Sequence, residues 1–82
     1  MSRAEKLIRD LENNPKGFGF EDACKLAELL GFERKGGKGA HRAFGRPGEM
    51  VQLNFQNWKG KIPLYQAKQL IAMVEKYRDE AQ

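Results

Sequence analysis

The chain has 82 residues and a net charge of +4, with 15 Lys or Arg against 11 Asp or Glu. A chain of this length forms one small domain, and we expect a single domain over residues 1–82. No apolar run approaches the roughly 20 residues that a membrane span needs, and residues 1–6 lack the apolar stretch of a signal peptide. We therefore expect a cytoplasmic protein that does not engage a membrane.

The chain holds one cysteine, Cys24, and one histidine, His41. These are too few for a tetrahedral zinc site within one chain, and Cys24 has no partner for an internal disulfide. Cys24 lies in an apolar-periodic segment, which indicates a core residue; a catalytic thiol beside His41 is the alternative. We expect no metal and no cofactor.

Two helices are predicted in the first third of the chain. The first covers residues 3–13, where apolar side chains recur at helical spacing: Ala4, Leu7, Ile8 and Leu11. Ser2 is its expected N-cap. The second covers residues 20–30, and Gly31 stands where a left-handed glycine commonly ends a helix.

The period then changes to that of short strands. Residues 32–35, 40–45 and 50–55 are predicted strands, separated by turns at 36–39 and 46–49, which gives an antiparallel meander. A last helix begins at Pro63 and carries an apolar stripe, namely Ala67, Leu70, Ile71, Val74 and Tyr77. The predicted fold is α+β in the order α-α-β-β-β-α, with helices on one face of a three-stranded sheet and the other face open.

Alternation along the second strand predicts where His41 points. Phe44 is expected to face the helices, so His41, which has the opposite parity, faces the open side beside the small residues Ala43 and Gly45. Arg42 shares the parity of Phe44 but suits a buried face poorly. We expect it near a sheet edge, with its guanidinium in solvent.

Charge accumulates around this histidine. Residues 34–46 contain five Lys or Arg and no acid, and Glu49 is the one acid between 34 and 61. Such a concentration is typical of a nucleic-acid binder. His41 could be a surface histidine without a role. It could also move a proton in RNA cleavage by the 2′-hydroxyl, without a metal, because imidazole titrates near neutral pH. The cations expected to hold phosphate are Lys38, Arg42 and Arg46, and the wider predicted RNA-binding set adds Lys35, Gly39 and Lys59.

Three further features have competing interpretations. The glycine-rich turn at 36–39 is not a Walker A loop, and it joins two strands where the G-x-x-G loop of KH domains joins two helices. Trp58, which is followed by Lys59 and Lys61, fits either an aromatic that caps the core or a platform that stacks on a base. Tyr65 fits either the core or a phenolic proton donor near His41.

The motifs LLGFER at 29–34, KGAHRAF at 38–44 and IPLY at 62–65 resemble those of the HicA toxin family. The resemblance covers about residues 20–78. It implies a double-stranded-RNA-binding-domain-like fold, metal-independent cleavage of mRNA with His41 as the catalytic residue, and a HicB-type antitoxin that covers the site in a hetero-oligomer.

The chain departs from the family pattern at three positions. Ala40 stands where Ser or Thr is usual, Arg42 where a second His is common, and Tyr65 where many members carry a His. With one histidine, the second proton transfer would fall to Tyr65, a lysine or water. Two other functions fit the same residues: a non-catalytic RNA-binding module, and an interaction protein whose basic face binds an acidic partner.

Overall fold

The computed structural model describes residues 3–81, and Ser2, the expected N-cap, lies outside them. Helix α1 spans Arg3–Asn13, and a 3₁₀ turn at Pro15–Gly17 leads to α2, Phe20–Leu29. Strands β1 (Glu33–Gly36), β2 (His41–Gly45) and β3 (Leu53–Gln56) follow, then α3 at Leu64–Tyr77 and a 3₁₀ turn at Arg78–Glu80. The element order and the α+β class are those predicted.

The three strands form one antiparallel sheet in the order β1-β2-β3, so β2 is central. One face packs on the helices: Phe44 of β2 and Leu53 and Phe55 of β3 are each at most 2% exposed. These side chains meet the apolar stripes of the helices in a single core. The other face carries no helix within the described residues, which confirms the predicted two-layer arrangement.

The apolar periodicity correctly identified most of the helical core. The four predicted residues of α1 are all buried, and so are Ala67, Leu70, Val74 and Tyr77 of α3. Ile71, which was predicted in the core, is only partly buried. Met73, which was not part of the predicted stripe, is buried in the core. No helix of the described residues is long and apolar enough to cross a membrane.

Gly31 ends α2 as predicted. Its φ is +93°, its N–H donates to the carbonyl of Glu28 at 3.0 Å, and Phe32 N–H donates to the carbonyl of Ala27 at 3.0 Å. This pair of bonds is the Schellman motif, which satisfies carbonyls left over at the helix end. The next helix boundary differs slightly from the prediction, because Pro63 is the N-cap of α3 and Leu64 its first helical residue.

The third strand is shorter than predicted, since residues 50–52 do not pair with β2. The carboxylate of Glu49 accepts a hydrogen bond from Val51 N–H at 2.8 Å and is itself bound by α3. The segment is thereby held toward α3, and its backbone joins the sheet only from Leu53. The first strand also begins one residue later than predicted, and it carries an irregularity between Arg34 and Gly36.

Candidate functional site

His41 is the first residue of the central strand and is exposed on the open face of the sheet. Its cross-strand partner is Gln56, and Ala43 pairs with Asn54 on the same face. Asn54 is exposed and Gln56 is half-buried. The predicted orientation of His41 is confirmed, and two amide side chains flank the small residue next to it.

The glycine turn lies directly against the start of this strand. Gly37 has φ +117°, and a Cβ there would come 2.3 Å from the His41 carbonyl oxygen and 2.7 Å from Arg42 Cα. Only glycine allows this approach. His41 N–H donates to the carbonyl of Lys38 at 3.0 Å, which fixes the exposed Lys38 next to the imidazole-bearing residue.

Lys35 also lies on the open face. A Cβ added at Gly45 would meet Lys35 Cγ at 3.3 Å, so the lysine stem crosses the sheet above the second strand. Its Nζ lies 3.4 Å from the carboxylate of Glu33, and both side chains are more than half exposed. An exposed pair of this kind contributes little to stability, so Lys35 can exchange Glu33 for another anion.

Arg42 does not lie at a sheet edge, so that part of the prediction is wrong, and its guanidinium packs on α2 while staying partly exposed. The guanidinium carbon is 4.9 Å from the centroid of the Phe20 ring, and Nη1 is 3.1 Å from the carboxylate of Glu21. The side chain is 28% exposed, and Nε is buried with no hydrogen-bond partner in the described chain. Arg42 therefore points at α2, away from the face that carries His41. Because β2 lies between two other strands, the Arg42 side chain cannot reach solvent around a sheet edge.

Arg46 is also held by the protein itself. Its Nε donates to the carbonyl of Leu30 at the end of α2 at 3.0 Å, and Nη2 lies 3.0 Å from the carboxylate of Glu80. The guanidinium stacks 4.0 Å above the ring of Tyr77. A cation is favoured at the carboxyl end of a helix, so this arrangement supports the fold. Of the predicted phosphate-binding residues, Arg42 and Arg46 are thus the two that are engaged elsewhere.

Glu49, the acid that interrupts the basic run, is withdrawn from the surface. Its side chain is 2% exposed and accepts hydrogen bonds from Lys76 Nζ at 2.6 Å and from the Tyr77 hydroxyl. These donors, with Val51 N–H, lower the pKa of Glu49 from 4.5 to about 2. Hydrogen bonding to the Glu49 carboxylate raises the pKa of Tyr77. The basic segment consequently presents no free carboxylate at this position.

Tyr65 is exposed at the start of α3 and is linked to the third strand through Gln66. Gln66 Oε1 accepts a hydrogen bond from Gln56 N–H at 2.8 Å, and Gln66 Nε2 donates to the Tyr65 hydroxyl at 3.2 Å. The phenol is therefore two hydrogen bonds from the backbone of the residue that pairs with His41. The core interpretation of Tyr65 is wrong, because its side chain is 62% exposed.

Cys24 is a free thiol in the core, as its position in the apolar stripe indicated. Burial raises the pKa of Cys24 despite the opposing effect of the nearby Arg42 guanidinium. The thiol lies on the helical side of the sheet, away from His41, which argues against the catalytic alternative. No three His, Cys, Asp or Glu side chains of residues 3–81 are grouped in a way that could hold a metal ion.

Trp58 does not cap the core, so that interpretation is wrong. Its side chain is 68% exposed on the turn that follows β3, next to Lys59 and Lys61.

At the end of the second strand, a depression of about 560 Å³ is bordered by Lys35, Gly45 and the 46–52 loop. Met50 in that loop is 98% exposed, which leaves an apolar side chain uncovered in the same depression as Lys35.

The structure thus places His41, Lys38 and Gly39 of the predicted set together at the start of β2, and Lys35 farther along the same face, over Gly45. Tyr65 lies at the start of α3 and is joined to β3 through Gln66. The sequence analysis missed Asn54, Gln56 and Gln66. The first two could have been found, because strict alternation in the third strand places both on the face opposite Leu53 and Phe55. Gln66 gave no such signal, since its position on α3 matters only once β3 is packed against that helix.

Comparisons of the chain with protein-family models, with curated proteins and with solved structures find no match. The likeness to HicA toxins therefore depends on the sequence motifs at 29–34, 38–44 and 62–65 alone.

Proposed function

We propose that the chain is a cytoplasmic toxin of a type II toxin–antitoxin system, a HicA-like endoribonuclease that cuts mRNA without a metal. The observation that carries this proposal is the position of His41. Its imidazole is exposed on the open face of the central strand, beside a glycine turn that presents Lys38. The proposed fold family is the double-stranded-RNA-binding-domain-like one, and the α-α-β-β-β-α order supports it.

In the proposed reaction the 2′-oxygen of one nucleotide attacks the adjacent phosphorus, and the bond from phosphorus to the 5′-oxygen breaks. A base removes the proton of the 2′-hydroxyl, and an acid returns a proton to the departing 5′-oxygen. His41 carries out one of these transfers. Lys38, exposed in the turn whose carbonyl binds His41 N–H, stabilises the negative charge that grows on the phosphoryl oxygens. Lys35, exposed farther along the open face over Gly45, is available to a neighbouring phosphate.

The second proton transfer is assigned to the Tyr65 hydroxyl. Its connection through Gln66 to the Gln56 backbone holds it at the edge of the face that carries His41. Arg42 cannot take part from where it lies, because its guanidinium packs on Phe20 on the helical side of the sheet.

A HicB-type antitoxin is the proposed partner, in a hetero-oligomer that covers the open face. Two features support such a partner. The basic residues of the open face favour an acidic surface, and Met50, at 98% exposure, offers an apolar contact beside Lys35.

The test is cleavage of a defined RNA in EDTA by the wild type, His41→Ala and Tyr65→Phe. Because general acid–base catalysis contributes about 100- to 10,000-fold, His41→Ala is expected to lower the rate by that factor with RNA affinity unchanged. Both side chains are exposed, so each variant should unfold at the wild-type denaturant midpoint, which controls for structure. Cleavage by His41→Ala at the wild-type rate would contradict the proposal.

The second candidate is a non-catalytic RNA-binding module with the same face. It is favoured by the presence of one histidine only, which leaves no second imidazole for the other proton transfer. This function predicts no cleavage by any of the three proteins, and an RNA affinity that falls steeply with salt and does not depend on His41. If RNA does not bind at any salt concentration, the interaction-protein alternative replaces both.

A further inference from the structure

The segment after the third strand forms a tight turn whose geometry is well defined. Trp58 N–H donates to the Lys61 carbonyl at 2.7 Å, and Lys61 N–H donates to the Trp58 carbonyl at 3.1 Å. The two residues between them, Lys59 and Gly60, have φ values of +55° and +87°. Positive φ at both central positions is the mark of a type I′ turn. Asn57 Oδ1 accepts a hydrogen bond from Gly60 N–H at 2.8 Å, which further stabilises the turn.

Lys59 is an unusual residue at this position. Type I′ turns favour Asn, Asp or Gly there, and Lys59 is the one non-glycine residue with positive φ in the described chain. An L residue with a long side chain is strained in this region. The sequence thus keeps a cation at a position where a smaller residue would fold more easily, which indicates a use for the cation.

The turn is anchored to the body of the protein. Phe20 N–H donates to the Gly60 carbonyl at 2.9 Å, and Ile62 N–H donates to the Phe18 carbonyl at 3.1 Å. All three apolar side chains involved, Phe18, Phe20 and Ile62, are at most 3% exposed. The indole of Trp58 therefore projects from a rigid support, although it is itself 68% exposed.

The turn also continues the face that carries His41. Asn57 N–H donates to the Ala40 carbonyl at 2.7 Å, so the ladder between the second and third strands runs one residue beyond β3. By alternation Trp58 has the parity of Asn54 and Gln56, the two residues that share the open face with His41.

Charge distinguishes this exposed aromatic from an ordinary apolar patch. An open depression of about 410 Å³ is lined by Trp58, Lys59 and Lys61, with no acid in its wall. Neither lysine forms an ion pair with an acid of residues 3–81. A flat π surface next to two unpaired cations matches a nucleobase with its flanking phosphates, and it suits an apolar peptide less well.

We propose that Trp58 is a stacking platform for an unpaired nucleobase, and that Lys59 and Lys61 bind the phosphates on either side of that base. The inference rests on the proposed function in that the ligand is the RNA which reaches His41. It adds that this RNA is single-stranded where it crosses the turn, because a base paired in a duplex cannot place its face on the indole.

The test uses Trp58 as its own reporter, since it is the only tryptophan in the chain. The probe is a short single-stranded RNA with 2′-O-methyl groups on every sugar, which removes the nucleophile and prevents cleavage. The single strand is expected to quench the tryptophan emission, and the same strand annealed to its complement is not. Quenching by the duplex to the same extent would overturn the proposal.

Three variants separate stacking from charge, with affinity measured by the anisotropy of a labelled strand. Trp58→Ala is expected to weaken binding by about 5- to 150-fold, and Trp58→Phe, which keeps an aromatic face, by much less. Lys59→Gly removes the backbone strain with the cation. It should therefore stabilise the protein. It should also make RNA binding less sensitive to salt, reducing the magnitude of the negative slope of log affinity against log salt by about 0.7. Equal affinities of the wild type and Trp58→Ala would overturn the proposal.

The platform and the nuclease can fail separately. Wild-type cleavage in EDTA with Trp58→Ala binding and cutting normally would refute the platform and leave the proposed function standing. Quenching by the uncleavable strand, with no cleavage of ordinary RNA, would support the platform and remove the nuclease. A tryptophan emission that shifts with protein concentration, and not with RNA, would show that a second copy covers Trp58 and would overturn the proposal.

Discussion

Replacing Gly37 by alanine tests how closely the glycine turn approaches the strand that carries His41. Two costs add at this position. The backbone has φ +117°, where a residue with a Cβ is strained by about 1–3 kcal/mol. The new Cβ would lie 2.3 Å from the His41 carbonyl oxygen and 2.7 Å from Arg42 Cα, which is backbone that cannot yield without displacing the strand. Such overpacking costs typically about 1–3 kcal/mol.

The expected loss for Gly37→Ala is therefore about 2–6 kcal/mol, which is a large part of the roughly 4–12 kcal/mol available to a chain of this size. Two neighbours serve as matched controls. Gly36 has ordinary φ and no atom within 4 Å of an added Cβ, so Gly36→Ala should change stability by less than about 1 kcal/mol. Gly39 has φ +57° but equally open space, so Gly39→Ala carries the strain alone.

The assay is urea denaturation followed by far-ultraviolet circular dichroism, because the exposed Trp58 is a poor reporter of folding. The expected order of destabilisation is Gly36→Ala, then Gly39→Ala, then Gly37→Ala. If Gly37→Ala were no less stable than Gly39→Ala, the close approach of the turn to His41 would be refuted, and with it the fixed position of Lys38.

Two further predictions follow from charged side chains that the fold itself binds. The folded pKa of Glu49, about 2, is below its ordinary 4.5, so its contribution to stability is complete above about pH 5 and is lost as the pH falls toward 2. The wild type should therefore exceed Glu49→Gln in stability at pH 7 and converge with it near pH 2; parallel curves over that range would contradict this. Arg42→Met should lower Tm by about 5 °C through the loss of the contacts to Phe20 and Glu21, and leave RNA affinity unchanged. Lys38→Met should do the reverse, weakening RNA binding at unchanged Tm, so a loss of affinity in Arg42→Met would show that Arg42 binds RNA.

Local patterns were sufficient to predict the elements and the orientation of His41. Alternation along β2 depends only on backbone geometry, so Phe44 inside and His41 outside followed from the sequence. The same is true of the helical stripes and of Gly31, whose positive φ the motif at the end of α2 required.

Long-range contacts could not be predicted in this way. Arg42 contacts Phe20 and Glu21. Arg46 binds the Leu30 carbonyl and the Glu80 carboxylate. All of these partners are more than ten residues away in the sequence. Charge alone assigned both arginines to phosphate. Glu49 is a similar case, since its burial against α3 determines where β3 begins, and nothing in residues 46–52 signals that contact.

The central position of β2 has a consequence for motion. This strand is hydrogen-bonded on both sides, whereas Lys38 and Lys59 lie in turns at the margin of the sheet. Local opening is rarest where neighbours hold a strand from both edges, so the amides of β2 should exchange with deuterium more slowly than those of the turns. The strand that carries His41 would thus keep its place on the timescale of a reaction, while the long exposed side chains of Lys38 and Lys59 change rotamers to follow an incoming strand.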